Sequence, residues 1–122
     1  MRPPQEDSTG QKISKSCVLE DGCSLNLHIY SSNGAFPPPY SQESAVGLVM
    51  GVGNVGKSLQ RFNPDKLNTY LSRDGGVTWA EVKKGPHIYE YGDHGGLIVM
   101  APTSAPTSEV YYSYDEGLTW IT

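Results

Sequence analysis

Polar and apolar residues alternate along Ser24-Leu25-Asn26-Leu27-His28-Ile29-Tyr30, which sets Leu25, Leu27 and Ile29 on one face of a strand. Ser31-Ser32-Asn33-Gly34 breaks that strand, and Pro37-Pro38-Pro39 makes a stiff connection. The continuous apolar run Ala45-Val46-Gly47-Leu48-Val49-Met50 reads as a strand buried on both faces. Further strands are expected over 66–72, 78–82, 87–91, 97–101 and 109–113, with a last one starting at Thr119-Trp120-Ile121. The run Leu97-Ile98-Val99-Met100-Ala101 is again fully apolar, and Pro102 opens a loop that lasts to Ser108. No stretch carries a helical period, so the chain reads as all-β. Residues 1–15 are polar and aperiodic, and are expected to be disordered or a connection from upstream sequence.

The octapeptide Ser72-Arg73-Asp74-Gly75-Gly76-Val77-Thr78-Trp79 returns 41 residues later as Ser113-Tyr114-Asp115-Glu116-Gly117-Leu118-Thr119-Trp120. Both copies follow β-prone residues and read Ser-x-Asp-x-Gly-x-Thr-Trp, the Asp-box hairpin. Asp74 and Asp115 are expected to accept from backbone N–H groups two residues on, which closes each turn locally. Gly76 and Gly117 supply a positive φ that a Cβ would oppose. Thr78-Trp79 and Thr119-Trp120 then begin the return strand, where the indole forms a small core. A carboxylate held by its own turn is structural rather than catalytic.

A turn motif and a Trp repeating at about 40 residues mark the blades of a β-propeller, each an antiparallel four-stranded sheet. Residues 16–83 are expected to form one blade with the first Asp box, and 84–122 a second with the other, cut short at its end. Two blades cannot close a ring, which takes at least about four, so the expected architecture is a partial propeller.

Composition narrows the function. At 122 residues the chain is one domain or a piece of a larger one. A net charge of −4 with nine basic residues argues against the basic face that nucleic acid requires. The 14 glycines and 9 prolines suit a turn-rich β structure. No apolar run approaches the ~18 residues of a membrane span, and the first residues lack the apolar core of a secretory signal. Cys17 and Cys23 flank Asp21-Gly22, a good turn. Paired, they would close a loop worth roughly 2 kcal/mol; unpaired, they are thiols of a reducing compartment, and composition leaves both open. Two thiols do not make a zinc site, which needs four donors.

Residues 51–58, Gly-Val-Gly-Asn-Val-Gly-Lys-Ser, match the phosphate-binding pattern G-x-x-x-x-G-K-S and follow an apolar run. In that chemistry backbone N–H groups wrap phosphates, Lys57 neutralises charge and Ser58 holds magnesium. The context argues otherwise. A helix must start at the loop, yet Pro64 interrupts six residues after Ser58. No later strand ends in an Asp placed for the metal, since Asp74 and Asp115 sit in turns and Asp93 in Gly92-Asp93-His94-Gly95-Gly96. A parallel sheet would also need crossover helices. Residues 51–58 are therefore read as a Gly-rich strand connection, with a nucleotide-binding protein as the alternative. His28 falls on a polar strand face, and the spacing of His87 and His94 fits no metal motif. An Asp-box glycoside-acting enzyme is a second alternative. A sialidase needs an arginine cluster, and only Arg2, Arg61 and Arg73 occur. The residues name no catalytic group, metal ligand or cofactor.

From Cys17 onward the chain resembles the ten-bladed propeller in the luminal domain of sortilin-type, or vacuolar protein sorting, receptors. The resemblance is carried by Cys23-Ser24-Leu25-Asn26-Leu27-His28, by 44–56, by 69–79, by Gly85-Pro86-His87-Ile88-Tyr89, by 92–99 and by 113–120. It implies a type I membrane receptor that binds peptide or protein cargo in the lumen of Golgi and endosomes. It also implies that Cys17 and Cys23 form a disulfide, because such a lumen is oxidising. The implied partners are cargo and, in cis, the remaining blades and a cysteine-rich module; the membrane is reached through a span absent from this chain. No ligand-contact motif is recognisable, so no binding residue is carried over.

Overall fold

The alternation of inward and outward side chains resolves into eight strands in the computed structural model, which describes residues 3–4, 6, 8–9, 22–27, 40–41, 47–57, 67–92, 96–102 and 108–122. They are β1 (Ser24–Leu27), β2 (Tyr40–Ser41), β3 (Val49–Gly56), β4 (Asn68–Ser72), β5 (Ala80–Lys84), β6 (His87–Gly92), β7 (Leu97–Pro102) and β8 (Tyr111–Ser113). All pairings are antiparallel, in an all-β arrangement consistent with a partial propeller. The first sheet runs β1-β3-β4-β5, and β2 also pairs with β3; the second runs β6-β7-β8. β1 covers Gly53 to Gly56 on one edge of β3, and β2 covers Val49 and Met50 on that same edge. In the second sheet Tyr112 and Ile121 exchange two backbone hydrogen bonds of 2.8 Å, so the chain after the second Asp box returns along β8. Each sheet takes its strands from one side of Gly85-Pro86.

One face of the first sheet lies against the second. Met50, Val52 and Leu71 meet Tyr89, Tyr91, Ile98 and Met100, with Leu48 and Leu67 beside them and Val82, Tyr111 and Trp120 at the margin. Full burial of such a side chain is worth about 1.5–3 kcal/mol, and among the described residues this is the larger of the two apolar clusters. The opposite face of the first sheet holds Leu25, Leu27, Tyr70 and Trp79, flanked by Val49 and Val55.

Two glycines of β3 lie beside that second cluster. In the register, Gly51 lies opposite Tyr70 and Gly53 opposite Leu27. A Cβ on Gly53 would sit 1.9 Å from the carbonyl oxygen of Asn26, so only glycine admits β1 at this distance. This corrects two expectations. Gly51 to Gly56 is strand rather than a connection between strands, with Lys57 in a bend and Ser58 outside the described residues. The strand expected over 45–50 starts only at Val49. Gly47, at φ +82°, is in a turn whose carbonyl accepts the N–H of Gly75, and residues 45 and 46 lie outside the described residues.

Other boundaries move for local reasons. β5 begins at Ala80 rather than Thr78 because Thr78 is held in the turn by Asp74. Residues 28–30 lie outside the described residues, and only Ser24–Leu27 of the first expected strand is seen. In β7, within this chain alone, Ile98 and Met100 are enclosed, whereas Leu97 is 36% exposed and Val99 half-buried. Of residues 1–15, five are described. Pro4 is buried, and Ser8 donates its N–H and hydroxyl to Oε2 of Glu81 at 2.7 and 2.9 Å.

Gly53→Ala is expected to lower unfolding stability by about 3 kcal/mol, since the added methyl meets backbone that cannot give way. Urea denaturation measures it, and an unchanged midpoint would contradict the β1–β3 register.

Candidate functional site

Among the described residues the polar groups with the most closely defined geometry are the two Asp-box turns. Ser72 Oγ donates to Asp74 Oδ1 at 2.7 Å and accepts the N–H of Gly76 at 2.8 Å. Asp74 Oδ1 accepts the N–H of Thr78 at 2.8 Å, and Oδ2 accepts the Thr78 hydroxyl. The second turn repeats the set: Ser113 to Asp115 at 2.7 Å, Gly117 N–H to Ser113 at 2.8 Å, Thr119 N–H to Asp115 at 2.9 Å, and the Thr119 hydroxyl to Asp115 Oδ2. Each carboxylate thus reaches the Thr four residues on, not an N–H two residues on; it is the Ser hydroxyl that gathers the nearer N–H groups. Gly75 and Gly76 have φ of +72° and +99°, and Glu116 and Gly117 have +59° and +82°, so both turns use two consecutive left-handed residues.

These contacts set the acidity of the two carboxyls. Donation from the Thr78 hydroxyl and N–H, then from Ser72, holds Asp74 down at about 2. The Ser113 hydroxyl, then the Thr119 hydroxyl and N–H, holds Asp115 at about 2. A general acid needs a pKa near the working pH, and these groups are shifted away from it. Their geometry suits turn closure.

The indoles differ. Trp79 Nε1 donates to the Gly76 carbonyl at 3.0 Å. Trp120 Nε1 is buried without a hydrogen bond, and its ring packs on the core between the sheets.

The two turns are joined across the sheets by groups that the motif does not specify. Arg73 Nε donates to the carbonyl of Glu116 at 2.8 Å. A Cβ on Gly117 would lie 2.3 Å from Leu71 Cδ2, so the second turn sits directly on the first sheet. Nearby, Thr69 Oγ1 donates to the Gly85 carbonyl at 2.9 Å, and Asn68 Oδ1 accepts the Gly85 N–H at 3.1 Å. His87 Nδ1 lies 3.0 Å from both the Gly85 carbonyl and Thr69 Oγ1. Because a carbonyl only accepts, Nδ1 carries the proton. Burial lowers the His87 pKa, the Gly85 carbonyl opposes this, and the charge of Lys83 adds to the lowering. The ring meets Tyr111 edge-on at 5.9 Å, and Lys83 Nζ stands 4.3 Å above the same Tyr111 ring. Burial also pushes the Tyr89 hydroxyl above its ordinary range. Sequence reading found none of these links. The available signal was that the repeats differ at Arg73 and Tyr114, at Gly75 and Glu116 and at Val77 and Leu118.

The glycine run is not assembled for phosphate. A phosphate loop presents several N–H groups to one point, whereas β3 is paired on both edges, Gly53 with Leu27 and Asn68. Asn26 Nδ2 also donates to the Gly56 carbonyl at 3.0 Å. Among the described residues no group of three or more His, Cys, Asp or Glu stands ready to hold a metal. His28 and His94 lie outside them. Cys23 is disulfide-bonded, and Cys17 lies outside the described residues.

Comparison with known proteins gives this geometry a setting. The Sortilin-Vps10 family description, "Sortilin, neurotensin receptor 3", matches residues 1–122, including the first sixteen residues that the resemblance from Cys17 onward left out. The chain is 48% identical over 120 residues to an uncharacterized membrane glycoprotein of Saccharomyces cerevisiae, covering 98% of this chain and 11% of that protein. It is 47% identical to the vacuolar protein sorting/targeting protein PEP1 of the same species, over 98% of this chain and 8% of the relative. With vacuolar protein sorting/targeting protein 10 of Debaryomyces hansenii the identity is 45%, over 97% and 7%. The chain thus spans about a tenth or less of the curated relatives it matches.

Because both turn carboxyls are held near 2 against an ordinary 3.8, the stability they add is complete above 3.8 and is lost as pH falls toward 2. The double variant Asp74→Asn, Asp115→Asn is expected to be less stable at neutral pH and to show a flatter acid limb. Urea midpoints measured against pH test this, and parallel profiles for variant and parent would contradict it.

Proposed function

The chain belongs to the Sortilin-Vps10 family, and we propose that it is part of the ligand-binding propeller of a sorting receptor. That receptor carries peptide or protein cargo between Golgi, endosome and vacuole or lysosome. The observation that carries the reading is the docking of two Asp-box repeats, one turn seated on the preceding sheet, in a chain matched to this family along its whole length. The vacuolar sorting names of the relatives support the same cargo class.

In this reading the chain contributes a rigid wall and performs no catalysis. The Asp boxes hold turns, and the cargo contacts belong to the assembled ring rather than to either carboxylate. The domain faces the lumen of Golgi or endosome, or the outside of the plasma membrane, and is anchored through a span elsewhere in the receptor. The propeller's other blades and a cysteine-rich module complete it in cis. Residues 16–83 and 84–122 act as successive blades, with 1–15 as the connection into the first. In the oxidising lumen Cys17 pairs with Cys23.

Deleting the gene is expected to divert a soluble vacuolar or lysosomal protein to the cell exterior, with re-expression restoring its delivery. Peptide mapping of the non-reduced, re-expressed protein should recover Cys17 linked to Cys23. Unchanged delivery without the gene would refute the receptor role, and free thiols at both positions would refute the luminal placement.

A further inference from the structure

One short link, Gly85-Pro86, leads from the first sheet to the second, and a titratable ring is shut in beside it. His87, the first residue of β6, is 3% exposed. Its Nδ1 lies 3.0 Å from the Gly85 carbonyl and 3.0 Å from Thr69 Oγ1 of β4, and Pro102 of β7 stands opposite it in register. Tyr111 of β8 packs edge-on against the ring at 5.9 Å. Among the described residues the charged group set against His87 is Lys83 of β5, and it is a cation. The nearby carboxylates are engaged or turned elsewhere. Glu81 of β5 accepts from Ser8 and pairs with Lys84, Glu90 lies on the opposite, exposed face of β6, and Glu109 is exposed ahead of β8.

We propose that this joint is acid-labile: a second proton, taken at His87 Nε2, drives the ring out from between β4 and β8 and frees Gly85 from Asn68 and Thr69, while both Asp-box turns stay closed. Nδ1 already carries the proton that the Gly85 carbonyl accepts, so only Nε2 can take another. Among the described residues His87 makes its hydrogen bonds through Nδ1, and none through Nε2. The added charge therefore enters a buried place without an acceptor and beside Lys83. The face of Tyr111 that could receive a cation is already held by Lys83 Nζ at 4.3 Å. The sign follows from the direction of the shift. Burial first, and Lys83 after it, hold His87 below its ordinary 6.5, so the closed joint has its full stability above 6.5 and loses it as pH falls below. Asp74 and Asp115, held at about 2, keep their charge across that range. The response thus belongs to the link between the sheets and spares the turns. It goes beyond the receptor reading, since no cargo contact enters it.

The test is amide hydrogen exchange of the full-length protein, with rates corrected for the intrinsic pH dependence of exchange. The Gly85 N–H, which donates to Asn68, reports the joint, and the Gly76 N–H, which donates to Ser72, reports the first turn. Between about pH 7.5 and about pH 5, protection at Gly85 is expected to fall by about tenfold while protection at Gly76 holds. His87→Gln keeps a side-chain N–H for the Gly85 carbonyl and does not titrate, so its protection at Gly85 is expected to be level across the same range. Level protection at Gly85 in the parent would overturn the proposal, and so would an equal fall in His87→Gln. Should His87→Gln fail to fold, the parent decides through its two reporters: loss at Gly85 alone upholds the acid-labile joint, and loss at Gly76 to the same extent overturns it. Cargo delivery by the parent is scored separately, so level protection with intact delivery refutes the joint and leaves the receptor reading standing.

Discussion

Gly117 carries two constraints at once. Its φ of +82° is one that side chains resist, and a Cβ there would lie 2.3 Å from Leu71 Cδ2. The contact exists because the second Asp-box turn rests on the first sheet without an intervening side chain. Much of the joint depends on that closeness. It brings the Glu116 carbonyl to Arg73 and the Trp120 ring onto the inter-sheet core, above the buried pairs of β4 and β7. Below it, Gly85 joins the same two sheets through Asn68, Thr69 and His87.

Repetition and asymmetry are both instructive. The Ser, Asp, Gly and Thr of the two boxes make the same bonds to within 0.1 Å where distances can be compared, so the turn is a self-sufficient unit. What differs is what surrounds it. Gly75 has no atom near its absent Cβ, whereas Glu116 at the equivalent position accepts a left-handed φ of +59°. That conformation costs roughly 1–2 kcal/mol, which is of the order of one hydrogen bond to a charged donor, and its carbonyl receives such a bond from Arg73. The strained residue therefore lies at the contact between repeats.

The Asp boxes, the all-β character and most strands were legible because each depends on local chemistry: alternation, turn glycines and a period near 40. Two kinds of feature were not. Gly53 of β3 has no side chain so that β1 can approach, and Gly51 lies across from Tyr70; the first is a demand made by residues distant in sequence. Read locally, Gly51, Gly53 and Gly56 suggest a connection, and the apolar residues before them suggest a strand that starts earlier than Val49. The links of Arg73, Thr69, His87 and Lys83 were hidden for the same reason, since nothing in a single strand announces what the next sheet will bring. The partner of each turn carboxylate lies two residues further on than a simple Asp turn suggests, because a Ser hydroxyl at the start of the motif takes the nearer N–H groups.

The central claim is that the second Asp-box turn is seated on Leu71, and a glycine comparison tests it most directly. Gly76 and Gly117 both have positive φ, but a Cβ on Gly76 meets only Trp79 Cζ2, at 3.8 Å. Urea unfolding of Gly76→Ala and Gly117→Ala, each in the parent and in a Leu71→Ala background, separates backbone strain from contact. The account predicts that Gly117→Ala is the more damaging by about 1–3 kcal/mol in the parent, and that the difference shrinks once Leu71 is truncated. Equal losses at the two glycines, unaffected by Leu71→Ala, would contradict it.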